Sequence, residues 1–260
     1  MLKGKSIFAL GLTAALVAST ANAVVVDLSN SDSGTINGAR FDVIFQQPTG
    51  TGVIDPFLRI QGTGNAGEEQ GYNTSGRPTA FDEKTDPNFT RNITFSDLQS
   101  TTTTLNGITY FQILLDVNEP NGSKSLITLD SLQLYTSAQG SQTTSNVSSL
   151  GTLRYDLDAG GDNSVIIDAS RNSGSGSGDI YIYIPTANFA GTSPSDFVYL
   201  YAAFGQAEGD AQGGFEEFAL VQNITPIPEL SSFFPIVGLM VAVGATNVLR
   251  RRKMAQQTTV

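Results

Sequence analysis

The sequence predicts an all-β exported body, an antiparallel β-sandwich or jelly-roll-like fold, placed between an N-terminal signal peptide and a single C-terminal transmembrane helix. Three observations predict it. Short β-branched and aromatic runs recur along the chain, and glycine- and asparagine-rich turns separate them. Charged residues make up only 15%, against roughly a quarter in ordinary globular domains. The 260 residues include no histidine, cysteine or tryptophan. Disulfides, His or Cys zinc ligands, and Ser-His-Asp or Cys-His nucleophile systems are therefore excluded.

Residues 1–23 read as a secretory signal. Lys3 and Lys5 form a basic start, Ile7 to Val17 is an apolar run, and Ala21-Asn22-Ala23 ends it. Signal peptidase accepts only small side chains at −3 and −1, which Ala21 and Ala23 provide, so cleavage is expected after Ala23.

Residues 24–225 form the body. The strands expected in it are Phe41–Phe45, Ile108–Val117, Leu126–Tyr135, Thr152–Asp158, Val165–Ile167, Ile180–Ile184, Phe197–Phe204 and Phe215–Val221. In Phe197–Phe204 the positions Val198, Leu200, Ala202 and Phe204 share one face, and Tyr199 and Tyr201 share the other. In Leu126–Tyr135 the apolar phase slips between Ile127/Leu129 and Leu132/Leu134, which predicts a β-bulge near Asp130-Ser131. Turns are expected at Asn106-Gly107, Asn121-Gly122, Gly160-Gly161, Gly174–Gly178 and Gly213-Gly214. Gln61–Thr90 reads as a long polar excursion, and Ser137–Ser149 as a solvated loop.

Setting aside Lys3, Lys5 and the four C-terminal cations leaves 8 basic residues in the body; setting aside Glu229 leaves 23 acidic, a net charge of −15. Such a surface repels nucleic acid and attracts cations. The densest oxygen cluster is Asp156, Asp158, Asp162, Asn163 and Asp168. Alternate carboxylates followed by a glycine turn can converge on a calcium ion, which takes six to eight oxygen ligands. Asp156, Asp158, Asp162 and Asp168 are the candidate ligands, against an ordinary solvated turn. The segment is no EF-hand, because Gly160 and Ile167 occupy ligand positions of that loop. Asp116, Asn118, Glu119 and Asp130 would meet if their two strands formed a hairpin.

Glu216 and Glu217 point to opposite faces of a strand; a glycosidase would need two carboxylates across one cleft. No catalytic residue is expected. Tyr181, Tyr183, Tyr199 and Tyr201 could share one sheet face and stack on sugars.

The C-terminal region, residues 226–253, has three parts. Pro226-Ile227-Pro228-Glu229 is a stiff spacer. Leu230–Leu249 is a stretch of 20 residues without charge. At 1.5 Å per residue it spans about 30 Å, the hydrocarbon thickness of a bilayer. Arg250, Arg251, Arg252 and Lys253 follow as a membrane stop that holds residues 254–260 in the cytoplasm. This order resembles the PEP-CTERM sorting signal of exported bacterial proteins. Pro228 and Glu229 match the first two motif positions; Leu230 stands where the family has its second proline, followed by Ser231. The resemblance implies retention at the inner membrane and processing near the motif by an exosortase, a membrane-embedded protease. It then implies display at the cell surface or in an extracellular matrix with exopolysaccharide. Leu157–Asn163, Ser173–Gly178 and Gly214–Phe218 are similar to pieces of PEP-CTERM bodies that have no assigned activity. The reading is a structural or adhesive envelope protein. A calcium-dependent carbohydrate-binding module and, more weakly, a carboxylate glycosidase are the alternatives.

Overall fold

The computed structural model describes residues 22–47, 54–63, 67–120, 124–172, 178–205 and 210–221. The signal run with Ala21 lies outside the described residues. So do the sorting motif Pro228, Glu229, Leu230 and Ser231, the apolar stretch, and the cluster Arg250, Arg251, Arg252 and Lys253. Among the described residues, no helix is long and apolar enough to cross a membrane.

The described residues form fourteen strands, one short α-helix and three single-turn 3-10 helices. One sheet runs β1 (Val25–Asp27), β11 (Ser164–Asp168), β9 (Leu126–Ser137), β13 (Phe197–Phe204), β5 (Glu69–Tyr72). In it β10 (Thr152–Asp156) also flanks β9, and β6 (Ile93–Thr94) flanks β13. The other runs β2 (Ser33–Ile36), β3 (Ala39–Val43), β12 (Ile180–Pro185), β8 (Ile108–Val117), β14 (Glu216–Val221), β4 (Ile54–Ile60). There β7 (Thr102–Leu105) pairs with β8. Among the described strands only β1 and β11 pair in parallel; the other pairs are antiparallel.

The two sheets share one apolar core. Phe41, Ile113, Leu115 and Phe218 enter it from one side, Leu129, Leu132, Leu200 and Phe204 from the other. The rings of Phe204 and Phe218 meet across it at 6.1 Å. Each such buried side chain contributes about 1.5–3 kcal/mol, so this contact is what joins the layers into a β-sandwich-like body.

The phase slip in β9 is a bulge. Ala203 pairs with Ser131 and Phe204 with Leu129, which leaves Asp130 as the extra residue. The insertion returns Ile127, Leu129, Leu132 and Leu134 to the same buried face. The alternation in β13 also holds: Val198, Leu200, Ala202 and Phe204 face the shared core, while Tyr199 packs outward against Tyr72, Tyr135 and Leu150.

Two stretches read as loops are built in more firmly than their composition suggests. Residues 61–90 contain β5 and bury Glu69, Tyr72, Asn73, Thr74 and Glu83. Their order comes from polar pairing, which hydrophobic periodicity does not register. Glu83 accepts from the amides of Tyr72 (3.0 Å) and Phe81 (2.8 Å), and Arg77 donates to the carbonyls of Thr74, Gly76, Thr85 and Thr90. Residues 137–149 lie over the outward tyrosines. The Tyr72 hydroxyl donates to the carbonyls of Gln142 and Thr144, and the Tyr199 hydroxyl to that of Gln139. Helix α1 (Phe95–Gln99) starts at a capping box between Thr94 and Asp97 and buries Phe95 and Leu98.

Candidate functional site

The proposed calcium loop grows out of the β9 bulge. β10 and β11 run along the same side of β9, with Asp156 opposite Gln133 and Val165 opposite Leu129. The residues between them arch over the bulged position, tied by the Leu157 amide to the Leu132 carbonyl at 2.9 Å. Asp156 Oδ1 accepts from the Asp158 amide (3.1 Å) and from Gln133 Nε2 (3.3 Å). Asp158 Oδ1 accepts from the Asn163 amide at 3.0 Å. Burial pushes the Asp158 carboxyl above its ordinary range; the Asn163 amide opposes this, and the negative fields of Asp156 and Asp162 add to it.

Asp168 is not part of this group. It sits at the far end of β11, opposite Leu126, and its Oδ1 is engaged by the amide and hydroxyl of Ser170 at 2.9 and 2.7 Å. Partial burial pushes its carboxyl up, but the bonds from Ser170 and Ser125 and the field of Arg171 outweigh this and leave it lowered. Of the four candidate ligands, Asp156 and Asp158 are tied together through the Asp158 amide, Asp162 follows in the same loop, and Asp168 stands apart. Spacing along the chain hid this, because the separation is a strand length and not a turn.

The expected hairpin between the Asp116 and Asp130 strands does not form. β8 and β9 belong to different sheets, so their connection is a crossover. Glu119 instead receives the Gln212 amide on both oxygens, each at 3.0 Å. The four tyrosines do not share a face either: Tyr181 and Tyr183 lie on β12, Tyr199 and Tyr201 on β13 of the other sheet. Glu216 and Glu217 diverge as alternation requires. Glu217 pairs with Arg59, whose guanidinium stacks 3.4 Å from the Phe89 ring centroid and 4.4 Å from that of Phe215. Glu216 turns inward with no exposed surface, so the pair does not bracket a common cleft.

The less legible feature is the end of the body where β8 finishes and β12 and β14 begin. Glu69 projects from β5 on the core side, beside Phe204, and is 3% exposed. Its Oε2 accepts from the Gly62 amide at 2.6 Å, and its Oε1 has no hydrogen-bond partner among the described residues. Burial, opposed by that amide and reinforced by Glu119 and Asp82, pushes its carboxyl up to about 7. Asp179, 2% exposed, accepts from the Val117 amide at 2.7 Å through Oδ2, and its Oδ1 has no partner among the described residues. Burial, with the fields of Asp116 and Asp168, pushes it up to about 8. Glu216 lies opposite Val117 and Ile60, and neither of its carboxyl oxygens has a partner among the described residues. A sequence scan for clustered acids passes over these three because they are far apart in the chain.

This arrangement can carry protons at near-neutral pH. It is not a preformed cage: among the described residues, no three acidic side chains converge closely enough to hold a metal ion. Comparison with protein-family models, curated proteins and solved structures returns no match to this chain.

Proposed function

We propose that the chain is an exported cell-envelope protein with a structural or adhesive role, made of a jelly-roll-like sandwich body and a C-terminal PEP-CTERM-like sorting signal. The observation that carries this reading is the order of the C-terminal parts: Pro228-Glu229, the uncharged Leu230–Leu249, then Arg250, Arg251, Arg252 and Lys253. An apolar stretch of bilayer length backed by four cations holds a chain in the membrane with those cations inside. The peptidase-compatible Ala21 and Ala23 supply the export step at the other end. In this reading the partners are signal peptidase, an exosortase-like membrane protease, the bilayer and exopolysaccharide. The body's net charge of −15 argues against nucleic acid.

Mass spectrometry of the surface form is the test. A C-terminus near Glu229 is expected; an intact end at Val260 would leave a plain membrane anchor and sink the sorting reading. A second reading, a calcium-dependent carbohydrate-binding module, rests on the acidic loop that carries Asp156, Asp158 and Asp162. Thermal melts with and without EDTA decide it, because an ion bound only to the native state raises the midpoint.

A further inference from the structure

We propose that the loop from Asp156 to Asn163 is a receptor for the mature chain's own N-terminus, taking the α-ammonium of Val24 once Ala23 has been removed. The inference rests on the signal-peptide part of the reading above. Hydrolysis of the Ala23–Val24 bond leaves the carboxylate on Ala23 and the amine on Val24, which takes a proton from water at neutral pH. The structure fixes where that nitrogen lies. The Val24 amide donates to Asn163 Oδ1 at 2.7 Å, and the Val24 carbonyl accepts from the Ser164 amide at 3.1 Å.

Asn163 is only 3% exposed and is itself oriented. Its Nδ2 donates to the Leu157 carbonyl at 2.6 Å, and its own amide is held by Asp158. The acceptor is therefore aimed at Val24 by the loop and does not reach it by chance of rotamer. Strand β1 begins at the very next residue, Val25, paired with Ser164, so the scissile bond lies at the edge of the folded body.

The charges around this point are one-sided. Asp156, Asp158 and Asp162 belong to the loop, and among the described residues none of them takes part in an ion pair. Asp27 and Asp32 lie at the other end of β1 and in the turn beyond it; Asp168 ends β11 and Arg171 lies just past it. Tyr155, beneath the loop, is kept neutral because burial pushes its hydroxyl up. In the precursor the Asn22 carbonyl also packs here, so close that a Cβ on Gly161 would stand 3.1 Å from it. Cleavage removes that carbonyl, replaces a single N–H by three donors, and sets a positive charge on Asn163 Oδ1, in the loop that carries Asp156, Asp158 and Asp162. Such a charge-assisted bond is roughly twice as strong as the neutral one it replaces. Maturation thus locks β1 onto β11.

The chain from Val24 to Val260, prepared in detergent with Val24 as its first residue, is compared with the same chain acetylated at Val24. The α-amine is expected to titrate about one unit above the ordinary value of about 7.7–8.0. Asp158→Asn and Asp162→Asn should each return it toward ordinary, and Asn163→Asp should raise it further. An amine pKa raised by folding stabilises below its unfolded value and stops doing so above its folded one. The free-amine chain should therefore melt higher than the acetylated chain at pH 6.5, with the gap closed by pH 10. An ordinary amine pKa indifferent to Asp162→Asn, with equal midpoints at pH 6.5, would overturn the lock. N-terminal sequencing of the exported protein addresses the other failure: a start other than Val24 sinks the cleavage reading while leaving the measured lock intact.

Discussion

Asn73 completes a ladder that no strand completes. β13 is flanked by β5 at one end and β6 at the other, and between them its edge meets a side chain. Asn73 Oδ1 accepts from the Leu200 amide at 2.6 Å, and Nδ2 donates to the Val198 carbonyl at 2.8 Å. The residue has no exposed surface, so water cannot substitute for it. Asn73→Ala would orphan two buried backbone groups, each costing about 1–3 kcal/mol. A loss of about 2–4 kcal/mol in urea unfolding is expected. Asn73→Leu, close in volume, separates bonding from packing: if it unfolds at the wild-type urea concentration, the ladder argument is wrong. Arg59 is held by a different logic, two aromatic faces and one carboxylate, and it ties β4 to the Phe89 segment and to β14.

At the scale of elements, turn chemistry gives a graded test. Asn106 and Gly107 join β7 to β8 with φ of +52° and +82°, the backbone hand that matches strand twist in a two-residue hairpin. A Cβ on Gly107 would meet nothing within 4 Å, so Gly107→Ala should cost only the left-handed backbone penalty, about 1–2 kcal/mol. Gly205 has φ of +87°, and a Cβ there would strike the Gly67 carbonyl and approach the Ala211 amide to 2.9 Å. Gly205→Ala should therefore be clearly more damaging than Gly107→Ala, and the reverse order in denaturant midpoints would refute the assignment of these backbones. The same contrast explains what the sequence disclosed. β8 and β13 are read at their observed limits because their side chains alternate against a core, and the β9 bulge is read from its phase slip. β4 escapes because Pro56, Arg59 and an irregular register at Phe57 break its pattern, as an edge strand allows. β5 escapes because its core-facing positions are Glu69 and Gly71. At the site, the divergence of Glu216 and Glu217 follows from alternation alone. The burial of Glu69 and Asp179 does not, since it depends on segments remote in sequence.

For the whole body, acid excess and buried acid act in the same direction on stability. Glu69 and Asp179 titrate in the folded state at about 7 and about 8, above ordinary carboxyls. Native protein thus keeps protons that the unfolded chain gives up once pH passes about 4. Stability is full below that point and falls as pH climbs toward 7 and 8, by on the order of a few kcal/mol for the two groups together. Glu83 and Glu119, also raised by burial, add to the fall. Asp27 and Asp168 are lowered, so they withdraw stability only at pH below the ordinary carboxyl range, outside this window. Repulsion among the body's surface charges grows over the same interval, but salt screens it with a Debye length of about 8 Å at 0.15 M. Melting midpoints should therefore be highest near pH 4 and decline to pH 8.5. Sodium chloride should recover the surface share and leave the share of the buried carboxyls. In Glu69→Gln and Asp179→Asn the amide oxygen still accepts from Gly62 or Val117, so the residual slope should flatten without loss of the fold. Midpoints that rise from pH 5 to 8, or double-variant melts as steep in pH as wild type, would show that these buried carboxyls do not set the pH response.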